Sequence, residues 1–155
     1  MTTETLDRPA TATDADAVAD EAAYIQIQQF YARQMQLFDA FDADRWAGTF
    51  TPDAVFDLPT LDRPVRGRAE LAATVRRNKA QAVRGGEQTR HWIGMLDVRP
   101  QADGTMHTRC YALVYVTPRG GDPRVQRVCV MEDVLVRSRG KWRTRCRLVT
   151  RDDLA

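Results

Sequence analysis

Asp39 and His91 are the two residues whose types best suit them to chemistry. Histidine is the side chain whose ordinary pKa lies near neutral pH, so it can both give and take a proton. A carboxylate bonded to one ring nitrogen fixes the tautomer and makes the other nitrogen a better base. In "TRHWIGMLDV", strand alternation puts His91, Ile93 and Met95 on one face, and that face is apolar. An Asp–His pair aimed into an apolar cavity can remove a proton alpha to a carbonyl, or protonate a leaving hydroxyl. Tyr31 precedes Asp39 by two helical turns and is a candidate phenolic donor to a developing oxyanion. Tyr111 and Tyr115 are alternative donors from a later strand. Tyr24, Met35, Trp46, Tyr111 and Met95 are the candidates for contacts with a substrate.

Each of these residues also has a plainer role. A lone histidine on an apolar strand face is more often a satisfied core residue. Asp39 could pair with Arg90 or Arg45 as a structural ion pair. Tyr31 lies within the apolar stripe of its helix, where packing is the commoner use. Trp46, Trp92 and Trp142 suit a core, with Trp46 placed to reach a cavity mouth. Alternation turns only one of Glu132 and Asp133 inward, and an inward acid there is a candidate second base.

The elements that must position these residues follow from periodicity. Residues 22–41 repeat apolar groups at helical spacing (Ile27, Phe30, Tyr31, Leu37, Phe38, Phe41), with Asp39 at the border of that stripe. Asp42 reads as the N-cap of a short second helix carrying Arg45, Trp46 and Phe50. Thr51-Pro52-Asp53 reads as a turn, followed by a short strand over residues 54–58. Pro59, Pro64 and Gly67 mark a loop, and residues 68–82 a third helix with Leu71 and Val75 inward. Beyond Gly85-Gly86 the pattern is strand-like: residues 89–99, 105–117, 125–138 and 141–150. Asp103-Gly104, Gly120-Gly121 and Arg139-Gly140 supply the turns. Helices first and strands later mean an α+β fold, a curved antiparallel sheet wrapped around a long N-terminal helix as a cone with an apolar pocket.

Composition bounds the rest. The chain of 155 residues is expected to form one domain over residues 22–150, with a flexible acidic tail over 1–21 and a short C-terminal tail over 151–155. Residues 1–21 hold six acids and one base, so the positive charge lies in the remainder. No apolar run reaches the roughly 18 residues of a membrane span, and the N-terminus lacks the apolar core of a secretory signal. Cys110, Cys129 and Cys146 are odd in number and show no C-x-x-C pair, which suits buried, reduced thiols in a cytoplasm. Arg143, Arg145 and Arg147 alternate along one strand face. Without interleaved aromatics they suggest a solvated face or subunit interface rather than nucleic acid. No phosphate loop or metal-ligand spacing is present, so no cofactor is expected. In residues 128–136 both alternating sets are apolar, so both faces of that strand read as buried, which favours a homodimer.

Several segments resemble the nuclear transport factor 2-like superfamily in its SnoaL-like branch, over about residues 22–150. They are "FYARQMQLFDAFDADRWAGTFTPDAVFDLP", "VRGRAEL", "TRHWIGMLDV" and "GKWRTRCRLV". The resemblance implies the cystatin-like α+β barrel. A narrower similarity is to scytalone dehydratase-like members, whose helix-end aspartate matches Asp39 and whose strand histidine, in a T-x-H-x-I-G context, matches His91. Their second histidine has no counterpart here: Cys110 and Tyr111 stand nearest, and His107 lies toward a turn.

Two functions are therefore carried forward. One is a cofactor-free enzyme of secondary metabolism acting on a hydrophobic, polyketide-derived ketone by dehydration, cyclisation or isomerisation. The other is a non-catalytic ligand carrier or structural subunit, in which Asp39 or His91 would be sealed or no cavity would reach them. Epoxide hydrolysis is a third reading, and it requires an Asp–Arg–Asp set around a water.

Overall fold

A computed structural model describes residues 17–155, so the expected acidic tail lies mostly outside the described residues. Asp20 caps the first helix, accepting from the Ala23 amide at 2.7 Å. Just before it, the Ala19 amide donates to the Val98 carbonyl at 3.2 Å. Helix α1 (Glu21–Asp39) is followed by α2 (Ala43–Ala47), which Asp42 caps as expected through the Arg45 amide. Then come β1 (Phe50–Asp57), β2 (Val65–Arg66), α3 (Gly67–Gly85) and the strands β3 (Glu87–Pro100), β4 (Met106–Pro118), β5 (Arg124–Ser138) and β6 (Lys141–Arg151). A 3-10 turn, Asp152–Leu154, carries an Arg151–Asp153 ion pair. The six strands form one curved, unclosed sheet in the order β2-β1-β6-β5-β4-β3. The α+β architecture expected from the order of elements is the one observed.

Three local readings are corrected. Thr51-Pro52-Asp53 is not a turn but lies inside β1, where the pairing with β6 is irregular between Phe50 and Val55. Pro52 is exposed there, and such an irregularity is where a residue without an N–H fits a strand. The loop after it contains a two-residue strand, β2, paired with Val55 and Phe56 and too short for periodicity to reveal. The third correction concerns Arg143, Arg145 and Arg147. Leu135 faces Thr144 while Val134 faces Cys146, so Arg145 is an extra residue in β6. This bulge breaks the alternation and turns Arg147 inward. Its side chain is 2% exposed.

The core has two parts. Trp46, Phe50, Ala54, Leu71 and Val75 fill the space between α2, α3 and β1. Ile27, Tyr31, Met35, Val98, Cys110, Met131, Leu135 and Trp142 pack α1 against the sheet. Between these parts runs a buried polar network. Arg147 donates through Nε and Nη2 to both oxygens of Asp133, at 2.8 and 2.7 Å. It also donates to the Gln34 side-chain carbonyl. The Gln34 amide in turn donates to Thr49 and Thr144. Burial works against the Arg147 charge, but the Asp133 carboxylate outweighs it and holds the guanidinium charged. A polar network thus occupies part of the space under the curved sheet. Arg147→Ala or Asp133→Ala would strand one buried charge, at a cost of about 3–5 kcal/mol in urea denaturation. The double change Asp133→Leu/Arg147→Met should lose less than either single variant. Single losses below about 1 kcal/mol would show the pair to be hydrated.

Candidate active site

Asp39 is the last residue of α1, where the helix dipole disfavours an anion and donors are needed nearby. His91 supplies them. β3 lies at the edge of the sheet, so an amide on its open side has no neighbouring strand. The His91 backbone amide donates to Asp39 Oδ2 at 3.0 Å. Asp39 Oδ1 lies 2.6 Å from His91 Nδ1. One carboxylate therefore holds both the peptide and the ring of one residue. Phe38 packs edge-on against the imidazole, with centroids 4.9 Å apart. The side chains are 19% (His91) and 9% (Asp39) exposed, so the pair is partly buried but not sealed. With Nδ1 committed to Asp39, Nε2 is the ring nitrogen left for chemistry. Asp39 pairs with neither Arg90 nor Arg45; Arg45 bonds Asp42 instead.

The pair opens on a cavity of about 820 Å³ between α1 and β3. Tyr24, Met35, Asp39, His91, Ile93 and Met95 all line it, along with Gln28, Gln29, Gln36, Ala32 and Leu96. Sequence reasoning missed the glutamines, because an exposed amide on a helix reads as solvated surface. Their spacing with Met35 and Asp39 along one helix flank was the available signal.

Five expected site residues are placed differently. Tyr31 lines the cavity, but its hydroxyl donates to Asp133 Oδ2 at 2.9 Å and lies 2.6 Å from Thr108 Oγ1. Its single proton is committed to a buried anion, so it is not a free oxyanion donor. Burial, reinforced by the Asp133 charge, also raises its pKa well above the usual phenol value. Tyr111 is 51% exposed on the outer face of β4, because the inner face is formed by Thr108, Cys110, Ala112 and Val114. Tyr115 shares that outer register. Trp46 does not reach the cavity mouth; it is buried against Phe38, Phe50 and Phe56. Met95 lines the cavity from its rim, 80% exposed, not from the floor. Gly94 faces Tyr111 and Asp97 faces Arg109, so Met95 and Leu96 together oppose Cys110 as a bulge.

Asp133 is the acid that turns inward, but Arg147 holds both its oxygens. It is thereby a structural partner and not a second base. The Asp–Arg–Asp set of an epoxide hydrolase is incomplete among the described residues, since the other side chain bonded to Arg147 is Gln34 and not a second aspartate.

Comparison with known proteins defines the class. The SnoaL-like domain matches residues 19–147, and the chain belongs to that family. It is 39% identical to Aln2 from a Streptomyces species, over 88% of this chain and 96% of that one, with a TM-score of 0.79. A protein from Catenulispora acidiphila in complex with S-DNPA is 36% identical, over 86% and 96% of the chains, with a TM-score of 0.74. An NTF2-like protein with a cystatin-like fold from Novosphingobium aromaticivorans shares the fold at 22% identity, over 91% and 94% of the chains, with a TM-score of 0.73. No curated protein sequence matches the chain. No helix among the described residues is long and apolar enough to cross a membrane.

Met95 has φ of 53°, a left-handed conformation that costs a non-glycine residue about 1 kcal/mol or more. Since its side chain is exposed, Met95→Gly should raise Tm by about 2–4 °C in calorimetry. A lower Tm would mean that the side chain holds the rim together.

Proposed function

We propose that the protein is a cofactor-independent enzyme that moves a proton on a hydrophobic, polyketide-derived ketone of several fused rings. The supporting observation is the Asp39–His91 pair, fixed by two contacts and opening on a cavity large enough for such a ligand. Membership of the SnoaL-like family and the relative in complex with S-DNPA agree with a small organic substrate.

In this reading Asp39 accepts a hydrogen bond from Nδ1–H of neutral His91 and stays ionised, and Nε2 takes a proton from the carbon alpha to the substrate carbonyl. The electron pair left behind forms the enolate. Asp39 then stabilises the imidazolium that has formed. For dehydration the enolate re-forms its carbonyl and expels a beta-hydroxyl, which takes the proton from Nε2 and leaves as water. For isomerisation the same proton returns to another carbon. For cyclisation the enolate carbon attacks a second carbonyl of the substrate, and Nε2–H protonates the alkoxide that forms. Each outcome uses the same dyad, and substrate shape selects among them. We place the enzyme in the cytoplasm, in keeping with its free thiols. Asp39→Asn and His91→Ala should each lower kcat on a polycyclic beta-hydroxyketone by about 10²–10⁴-fold with an unchanged circular dichroism spectrum. Near-full activity in either variant would clear the pair of this role.

We also propose that the outer sheet face pairs with a second copy. Among the described residues helices cover one face, while Tyr111, Val128 and Leu148 are exposed on neighbouring strands of the other. An apolar patch across three strands is more than a monomer ordinarily leaves in water. Light scattering should give twice the chain mass, and Tyr111→Arg/Val128→Asp should give a monomer. A monomeric wild-type protein would refute the pairing.

A further inference from the structure

Large apolar side chains stand exposed around the mouth of the cavity. Ile25 on α1 and Trp92 and Met95 on β3 all line it, and they are 64%, 67% and 80% exposed. A single exposed apolar side chain is ordinary, but three around one opening mark a surface that something covers.

Trp92 belongs at the same time to the outer face of the sheet. It stands across from Leu113 on β4, and Leu113 stands across from Val128 on β5. Two residues along β3, Gly94 stands across from Tyr111. Trp92 Nε1 lies 3.8 Å from the place a Cβ on Gly94 would take, so the indole lies along the strand toward Met95. The strip from Trp92 over Gly94 to Met95 therefore joins the outer face to the cavity mouth.

Area and charge indicate what covers this strip. Tyr111, Val128 and Leu148 expose on the order of 250 Å² between them, against the roughly 800 Å² that each partner gives to a standard interface. Trp92, Met95 and Val125 raise the apolar total to on the order of 600 Å². The charges on the adjoining part of the face are already matched within it: Arg109 with Glu132 at 2.8 Å, and Arg99 with Asp97 at 2.7 Å. An apolar patch flanked by matched charges suits a second copy of itself better than an acidic or a basic partner.

We propose that the second copy roofs the cavity: Trp92 and Met95 belong to the pairing face, and the opening beside His91 is covered only in the dimer. This rests on the pairing of outer faces proposed above, and not on the proton-transfer chemistry. The dimer then completes the site by shutting bulk water away from the His91 side chain, which is 19% exposed in one copy. The effect is reciprocal. A ligand that gains contacts from the roof tightens the dimer by the same factor that the dimer tightens the ligand.

Peroxide footprinting reads the roof with no ligand present. Methionine is oxidised where solvent reaches it, and peptide mass spectrometry resolves Met95 from the buried Met131. In the wild-type dimer Met95 should be oxidised at least about tenfold more slowly than in the monomeric Tyr111→Arg/Val128→Asp protein, with Met131 slow in both. Wild-type protein diluted until light scattering gives the mass of one chain should show the same fast Met95 rate, which guards against a misfolded variant. Trp92→Arg, which leaves Tyr111 and Val128 in place, should weaken the dimer by about tenfold or more. Equal Met95 rates in dimer and monomer, or a dimer unaffected by Trp92→Arg, would overturn the roof while leaving the pairing intact. A wild-type protein that is monomeric at every concentration would overturn both.

Discussion

Arg147 carries a positive charge in a place almost without water, and that charge must be met by fixed groups. Asp133 on β5 neutralises it through two hydrogen bonds, and Gln34 on α1 completes the set. Tyr31, one turn earlier on α1, donates to the same Asp133. Thr108 on β4 lies beside that phenol. Four elements are therefore tied to one ion pair. Because Tyr31 and Gln34 belong to the same helix face, the network sets both the rotation and the height of α1 on the sheet. The rotation in turn decides where Asp39 points two turns later. A slip of one residue would rotate α1 by about 100° and carry Asp39 away from β3. The polar core thus positions the candidate dyad without taking part in its chemistry.

The second constraint is that, among the described residues, β3 has a strand partner on one side only. Along its open edge, helix side chains take the place of a strand: Asp39 binds the His91 amide and Tyr24 binds the Leu96 carbonyl. Between these two bridges side chains of α1 and β3 line the cavity. Its position along the sheet edge follows from its lining, which comes from α1 and β3. Two bulges refine this plan. One turns Arg147 inward, and the other pushes Met95 out to the rim.

Membership of the SnoaL-like family establishes the scaffold, and scaffolds of this kind do not by themselves dictate a reaction. Support for acid–base chemistry comes from local geometry: a carboxylate bound twice to one histidine, with the other ring nitrogen unpartnered among the described residues and a cavity alongside. The plainer alternatives for these residues required a sealed histidine or an Asp39 paired with arginine, and neither arrangement is present.

The amino-acid sequence alone determined the order of the longer elements, the α+β class and the pairing of Asp39 with His91 as candidates. Helical and strand periodicities are local, and motif context travels with the chain. It also marked Tyr24 and Met35 for the cavity, since both lie beside the stripe that α1 buries. What it could not determine were features that depend on register. Alternation placed Arg147 with Arg143 and Arg145, and Met95 with His91 and Ile93. In each strand one extra residue reverses the faces, and a bulge leaves no mark in a period-two pattern. Nor could periodicity show that the Tyr31 proton is spent on Asp133, because the two residues lie 102 apart in sequence. Trp46 and Tyr111 were assigned by type, but burial is decided by which elements end up face to face. The sequence supplied the reactive groups and the local geometry that carries them. Only tertiary packing, driven by the need to satisfy one buried charge, decided which of them share a cavity.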